Sequence, residues 1–155
     1  MPDYFRLRFT IEGVSELSRI LGVTHRKLSN FKKPLWESAR LILADVEQQF
    51  RSEGGLTGGW KKLTDSTVAG RIRAGYGGKH PILQRTGALR KSFVSHVDSR
   101  RMVVTSRGVP YYAYHQSKMP RRYPPKGLPR RTMLLLTQRT KENIQEKFNK
   151  FLRFK

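Results

Sequence analysis

The chain contains no cysteine. Disulfides, thiolate-ligated zinc and cysteine nucleophiles are therefore excluded, and the composition suits a reducing compartment. No apolar run approaches the roughly 18 residues that span a bilayer. The densest patches, Leu41-Ile42-Leu43-Ala44 and Met133-Leu134-Leu135-Leu136, are short enough to be core. The opening residues, Met1-Pro2-Asp3-Tyr4-Phe5, lack the charged-then-apolar pattern of a signal peptide, so none is expected. Acidic residues are scarce: 11 Asp and Glu stand against 32 Lys and Arg in 155 residues, for a net charge of +21. From Ser66 to Lys141 the single acidic residue is Asp98. A two-metal nuclease needs clustered carboxylates, and nothing after Asp65 supplies them.

What is present is positive charge threaded through the second half of the chain. Such a chain repels its own copies and attracts polyanions. Arginine is the more frequent cation, and its planar guanidinium favours carboxylate and phosphate partners. The length suits one domain, residues 1–155, able to bury roughly 68–70% of the surface exposed on unfolding.

Alternation in Tyr4–Ile11, with Phe5, Leu7, Phe9 and Ile11 on one side, predicts a half-buried strand. A short helix follows over Val14–Leu21, ended by Gly22. The longest helical pattern covers Phe31–Arg51. Leu35, Ala39, Ile42, Leu43, Val46 and Phe50 share one face there, and Pro34 suits the first turn. A Gly-rich loop, Gly54–Gly59, leads into Trp60. It lacks the GxxxxGK[ST] pattern of a phosphate loop. Asp65 caps a short basic helix holding Val68, Arg71, Ile72 and Arg73, which Gly75–Gly78 ends. Pro81–Gln84 enters another short helix with Thr86 near its N-cap. Phe93–Val97 and Met102–Thr105 read as strands joined by a turn at Asp98-Ser99-Arg100. Val109–His115 reads as a third strand or a packed loop. Prolines and cations mark 117–131 as an extended basic arm. A last helix starts near Thr137, with Ile144, Phe148, Phe151 and Leu152 as its apolar stripe. The sum is an α+β fold: a small antiparallel sheet packed by a long core helix and a C-terminal helix.

Four histidines, His25, His80, His96 and His115, show no metal-binding spacing, so neither a metal nor a cofactor is expected. His96 and Asp98 share a strand face and, with His115, form the one candidate hydrolytic set. An exposed hairpin end explains the pair more simply. Tyr111, Tyr112, Tyr114 and Tyr123 beside Arg121 and Arg122 offer a stacking surface for single-stranded bases, or tyrosines packed beneath solvated arginines. Lys147, Lys150, Arg153 and Lys155 make the C-terminal helix basic and amphipathic. Core packing, with the cations favourably near the helix C-terminus, is preferred to membrane-surface binding.

Several segments together resemble the virion morphogenesis, or tail completion, family of Mu-like tailed bacteriophages. They are Gly58-Gly59-Trp60-Lys61-Lys62-Leu63, Ile82-Leu83-Gln84-Arg85-Thr86-Gly87-Ala88-Leu89-Arg90-Lys91-Ser92, Tyr112-Ala113-Tyr114-His115-Gln116 and Leu128-Pro129-Arg130-Arg131. The resemblance runs from about Leu35 to the C-terminus, and the Ile82–Ser92 segment is its most specific part. The chain departs from the family pattern at Ser117-Lys118, where a glycine is common, and at Thr132-Met133, where a proline or aromatic is common.

The resemblance implies a non-enzymatic protein of the phage neck. It would complete the tail or join head to tail as part of a homo-oligomeric ring such as a hexamer, assembled in the host cytoplasm and retained in the virion. Trp60, Leu83, Thr86, Gly87, Leu89, Tyr112, Ala113, His115 and Gln116 would be structural, with Gly87 permitting close packing of its turn and Tyr112–Gln116 serving as a sheet or subunit contact. Arg100, Arg101, Arg121, Arg122, Lys126, Arg130 and Arg131 would face acidic surfaces of other neck and tail proteins, or packaged DNA. The alternative is a cytoplasmic nucleic-acid-binding protein.

Overall fold

The computed structural model describes residues 7–10, 29–116 and 129–152. In chain order the elements are β1 (Leu7–Thr10), α1 (Lys32–Arg51), a single 3-10 turn (Gly55–Thr57), α2 (Asp65–Arg73), α3 (Ala88–Lys91), β2 (Phe93–Val97), β3 (Arg101–Ser106), α4 (Tyr112–Gln116) and α5 (Gln138–Leu152). The helix expected at Val14–Leu21 lies outside the described residues, as do the rest of the first strand and the arm at 117–128.

The organising element is α1. Pro34 falls in its first turn, where a missing N–H costs nothing, and Leu35, Ala39, Ile42, Val46 and Phe50 bury one stripe at helical spacing. Each such fully buried Leu, Ile or Phe contributes about 1.5–3 kcal/mol. Two polar residues sit in the same stripe, and both are hydrogen-bonded. Ser38 donates to the Pro34 carbonyl at 2.7 Å. Gln49, fully buried, donates to Thr57 Oγ1 and to the Thr132 carbonyl at 2.8 and 2.9 Å and accepts from Leu56 N–H at 3.0 Å. At the start of α1, Phe31 N–H donates to the Ser99 carbonyl at 2.7 Å, which ties the helix to the β2–β3 turn.

The three strands are antiparallel in the order β1-β3-β2. Phe93 stands opposite Ser106 and Val97 opposite Met102, while Leu7 stands opposite Val104 and Thr10 opposite Arg101. The central strand alternates, with Met102, Val104 and Ser106 buried between less buried neighbours. Helix α1 lies across β2 and β3, and α5 packs on α1. The fold is α+β, with a long core helix and a C-terminal helix on a small antiparallel sheet. At one end of α1, Phe31 meets Phe148 and Phe151 of α5 with ring centroids 6.1 and 5.7 Å apart. At the other, Phe50 meets Trp60 edge-on at 5.3 Å and Phe93 at 5.9 Å, and Phe93 meets Tyr112 at 5.4 Å. The C-terminal helix thus packs into the core through Phe148, Phe151, Ile144 and Leu152.

One local expectation is corrected and another refined. Residues 112–116 form the helix α4, where a strand or loop was expected; the free edge of β3 is occupied by β1, and Pro110 has no N–H to offer a sheet ladder. Residues 81–84 lead into the short helix expected after Thr86 without being helical themselves. Leu83 has φ 59°, the Ile82 N–H is taken by Glu53 Oε1 at 2.9 Å, and the helix begins only at Ala88. Thr86 stands one residue ahead of the N-cap, where its hydroxyl accepts from Ala88 N–H at 3.3 Å.

Replacing Gln49 by the similarly sized Leu strands the half-buried Leu56 N–H and frees the Thr132 carbonyl of one donor. Gln49→Leu is expected to lower unfolding free energy by roughly 2–4 kcal/mol, measured by urea titration; a decrease below experimental error would show that the amide is dispensable.

Candidate functional site

The segments that carry the family resemblance converge on the C-terminal half of α1. Trp60 is buried on Phe50, and its indole N–H donates to the Thr132 carbonyl at 3.0 Å. Gln116, also buried, accepts from Met133 N–H at 2.9 Å and Leu134 N–H at 3.0 Å and donates to the Leu134 carbonyl at 2.5 Å. The amide thereby copies a strand partner for residues 133–134. Arg131 N–H donates to the His115 carbonyl at 2.9 Å. Three stretches distant in sequence are laced together by these bonds.

The second convergence joins the Ile82–Ser92 segment to the same helix. Glu53 accepts from Ile82 N–H and meets His80 Nδ1 at 2.6 Å. Gln84 donates to the Phe50 carbonyl at 2.9 Å. Arg90 clasps Glu47 through both Nε and Nη2, with Nε to Oε2 at 2.9 Å, and its third donor reaches Gln84 Oε1 at 3.0 Å. The clasp holds the Glu47 carboxyl below its ordinary value, mainly through the Arg90 hydrogen bond, and raises Arg90 in turn. Leu89 is buried in the core, Leu83 packs on it half-buried, and Ser92 bonds the Leu89 carbonyl and Ser106 Oγ, both at 2.7 Å. Gly87 has φ 73°, yet a Cβ there would meet nothing within 4 Å. Its requirement is the left-handed turn into α3, which corrects the close packing expected of it.

The expected contact residues divide sharply. Arg131 is 4% exposed and donates to the carbonyls of Lys61 (2.8 and 3.1 Å) and Lys62 (3.5 Å). It is an internal strut and faces no partner, because a guanidinium can be satisfied by backbone carbonyls where no carboxylate is at hand. Burial pushes it below the usual arginine value. Arg130 is exposed and donates to the Gln116 carbonyl at 3.3 Å. Arg100 and Arg101 are exposed on the β2–β3 turn; Asp98 Oδ1 accepts both their N–H groups, at 2.9 and 2.7 Å, and Asp98 Oδ2 meets Arg101 Nε at 3.3 Å. These bonds, the Arg100 N–H foremost, hold the Asp98 carboxyl low. Arg121, Arg122 and Lys126 lie outside the described residues.

Within Tyr112–Gln116 the side chains divide too: Tyr112, His115 and Gln116 are buried in their own chain, Ala113 is half-buried and Tyr114 is exposed, and burial raises the Tyr112 hydroxyl. The hydrolytic set is not assembled as a site. Asp98 is engaged by the turn, His96 is exposed on β2, and His115 is buried in α4. Among the described residues no group of His, Asp or Glu is arranged to hold a metal ion, and no helix is long and apolar enough to cross a membrane.

No family model, curated protein or solved structure matches the chain.

The described surface is rich in cations and carries several exposed aromatics. Glu47, Glu53, Asp98 and Glu37 are engaged by Arg90 and Arg51, His80, Arg101 and Lys147 respectively. Asp45 accepts from the hydroxyls of Thr137 and Thr140, at 3.3 and 2.5 Å, at the start of α5. These five acids are tied to the fold, whereas Asp65, Glu142 and Glu146 are exposed and form no ion pair with a described residue; the exposed lysines and arginines outside these pairs likewise face outward. Two exposed aromatics carry an arginine: Arg40 lies over Trp36 at 5.0 Å and Arg85 over Tyr76 at 5.1 Å. Sequence reasoning missed both pairs. The i,i+4 spacing of Trp36 and Arg40 on the side of α1 away from its apolar stripe was the legible signal; nothing in the sequence linked Tyr76 to Arg85.

Arg131→Ala is expected to lower unfolding free energy by roughly 2–3 kcal/mol, whereas Arg100→Ala leaves it near wild type; equal effects in urea titrations would contradict the division. For Glu47, a carboxyl held below its ordinary value of 4.5 adds stability above that pH and loses it as pH falls. Wild-type urea midpoints are expected to decline below about pH 4.5 more steeply than those of Glu47→Gln, and matching acid limbs would remove the clasp from the account.

Proposed function

We propose that this chain is a structural, non-enzymatic protein of the tailed-phage neck, completing the tail or joining it to the head as one subunit of a ring. The reading rests on the order and spacing of the four segments that resemble the tail completion family. It is supported by one observation above the rest: those segments are where the tertiary structure is knotted together, through Trp60, Gln116, Arg131 and the Glu47–Arg90–Gln84 clasp. A pattern whose residues act as joints is one that a shared fold would preserve.

The charge fits the same role. A chain with 32 basic residues against 11 acidic ones meets acidic neighbours readily and its own copies reluctantly. A ring of such subunits would need acidic protein or DNA between like charges. The basic lumen of a ring would also retard DNA in transit, since phosphate contacts hold tightly at low salt. Much of the charge is therefore assigned to protein contacts, with some left to hold a DNA end.

Negative-stain microscopy of the purified protein, alone and mixed with phage tails, tests the proposal. Rings or capped tails are expected. The triple variant Arg121→Glu, Arg122→Glu, Arg130→Glu, with Arg131 retained for folding, is expected to abolish capping. Compact monomers that ignore tails, and bind duplex DNA with a log–log salt slope of about −0.9 per phosphate contact, would replace this reading with that of a nucleic-acid-binding protein.

A further inference from the structure

Helix α2 is built inside out. Its one buried residue is Arg71, 6% exposed, while Ile72 beside it is 60% exposed and Tyr76, just past its end, is 37% exposed. In an amphipathic helix the aliphatic residue goes inward and the arginine outward. The helix makes at most marginal contact with any other described helix or strand. Its apolar residues are therefore not borrowed by the core of this chain.

The inversion is fixed by specific bonds. Arg71 Nη1 donates to the Pro81 carbonyl at 3.1 Å, which draws the guanidinium under the helix. Gly75, at φ 75°, ends the helix in a Schellman closure: Tyr76 N–H donates to the Arg71 carbonyl at 2.9 Å and Gly75 N–H to the Ile72 carbonyl at 3.0 Å. Arg85 lies over the Tyr76 ring. Ile72 and Tyr76 are presented on a braced frame, so little ordering would be needed on binding.

Around this apolar pair the charge is mainly positive, the one acid of residues 64–87 being Asp65 in the first turn of α2. No acidic residue occurs between Ser66 and Val97, and Arg73, Lys79 and Arg85 are exposed and form no ion pair with a described residue. An apolar and aromatic centre within an arginine-rich rim is the composition of a protein–protein contact. A nucleic acid would use the rim and leave Ile72 without an apolar partner. A second copy of this chain would bring the same positive rim.

We propose that residues 64–87 form a docking surface for an acidic protein partner that seats an apolar or aromatic side chain against Ile72 and Tyr76. The rim cations speed encounter and reject basic partners; burial of the apolar pair slows dissociation. This deepens the neck reading by naming the surface a neighbour uses, and it depends on that reading only for who the neighbour is.

The test uses the full chain and three fluorescent probes at physiological salt: poly-glutamate, a glutamate–tyrosine copolymer and a short DNA duplex. The copolymer is expected to bind about tenfold tighter than poly-glutamate. The double variant Ile72→Ser, Tyr76→Ser is expected to lose most of that preference while keeping its poly-glutamate affinity and, because both side chains are exposed, its urea midpoint. Without any variant, amide exchange in 64–87 is expected to slow when the copolymer is added. Equal binding of the two polymers, an unchanged preference in the double variant, no slowing of exchange, or a double variant that loses DNA affinity instead, would each overturn the proposal. Rings in the microscope without a copolymer preference would remove this surface alone; a preference without rings or capped tails would remove the neck reading alone.

Discussion

A single backbone carbonyl, that of Thr132, receives both the Gln49 amide and the Trp60 indole N–H. Through it the core helix, the Gly-rich loop and the segment before α5 are held at one point. Gln49 also accepts the Leu56 N–H of the loop, and Trp60 completes the aromatic chain from Phe50 to Phe93 and Tyr112. Polar groups buried this deeply stabilise only when all are satisfied. Neighbouring bonds obey the same rule: Gln116 serves Met133 and Leu134, and Arg131 serves Lys61 and Lys62.

The shortage of acid shapes this network. A chain with 11 carboxylates and 32 cations cannot neutralise buried arginines with buried acids. Arg71 and Arg131 are instead bonded to backbone carbonyls, while the carboxylates stand at the joints of α1 and at the hairpin turn. Glu47 and Glu53 bind the Ile82–Ser92 segment to the helix, and Asp45 binds the start of α5. With these acids engaged and only Asp65, Glu142 and Glu146 exposed without an ion pair among the described residues, positive charge predominates on the outer surface. The internal bonding and the external charge are thus two faces of one composition.

The division between internal and outward arginines changes the functional picture. Arg130 and Arg131 are adjacent in sequence, yet one is exposed and the other is a strut beneath the Lys61-Lys62 backbone. The outward chemistry of the described residues lies in exposed aromatics capped by arginine and in the unpaired cations around α2.

The sequence by itself determined the α+β class, the extent of α1 within a residue, the β2–β3 hairpin and the apolar stripe of α5. These depend on periodicity, and periodicity is a local property of side chains along a chain. It also determined the excess of positive charge. It did not decide which arginines are buried, because Arg71 and Arg131 donate to carbonyls distant in sequence or beyond a turn, and no local pattern marks such an acceptor. Nor did it decide that residues 112–116 are helical, since the edge of β3 that a third strand would have taken is filled by β1 from the far end of the chain. Which side chains face outward from α2 was likewise a tertiary matter: Ile72 is exposed because one bond from Arg71 to Pro81 turned the helix over.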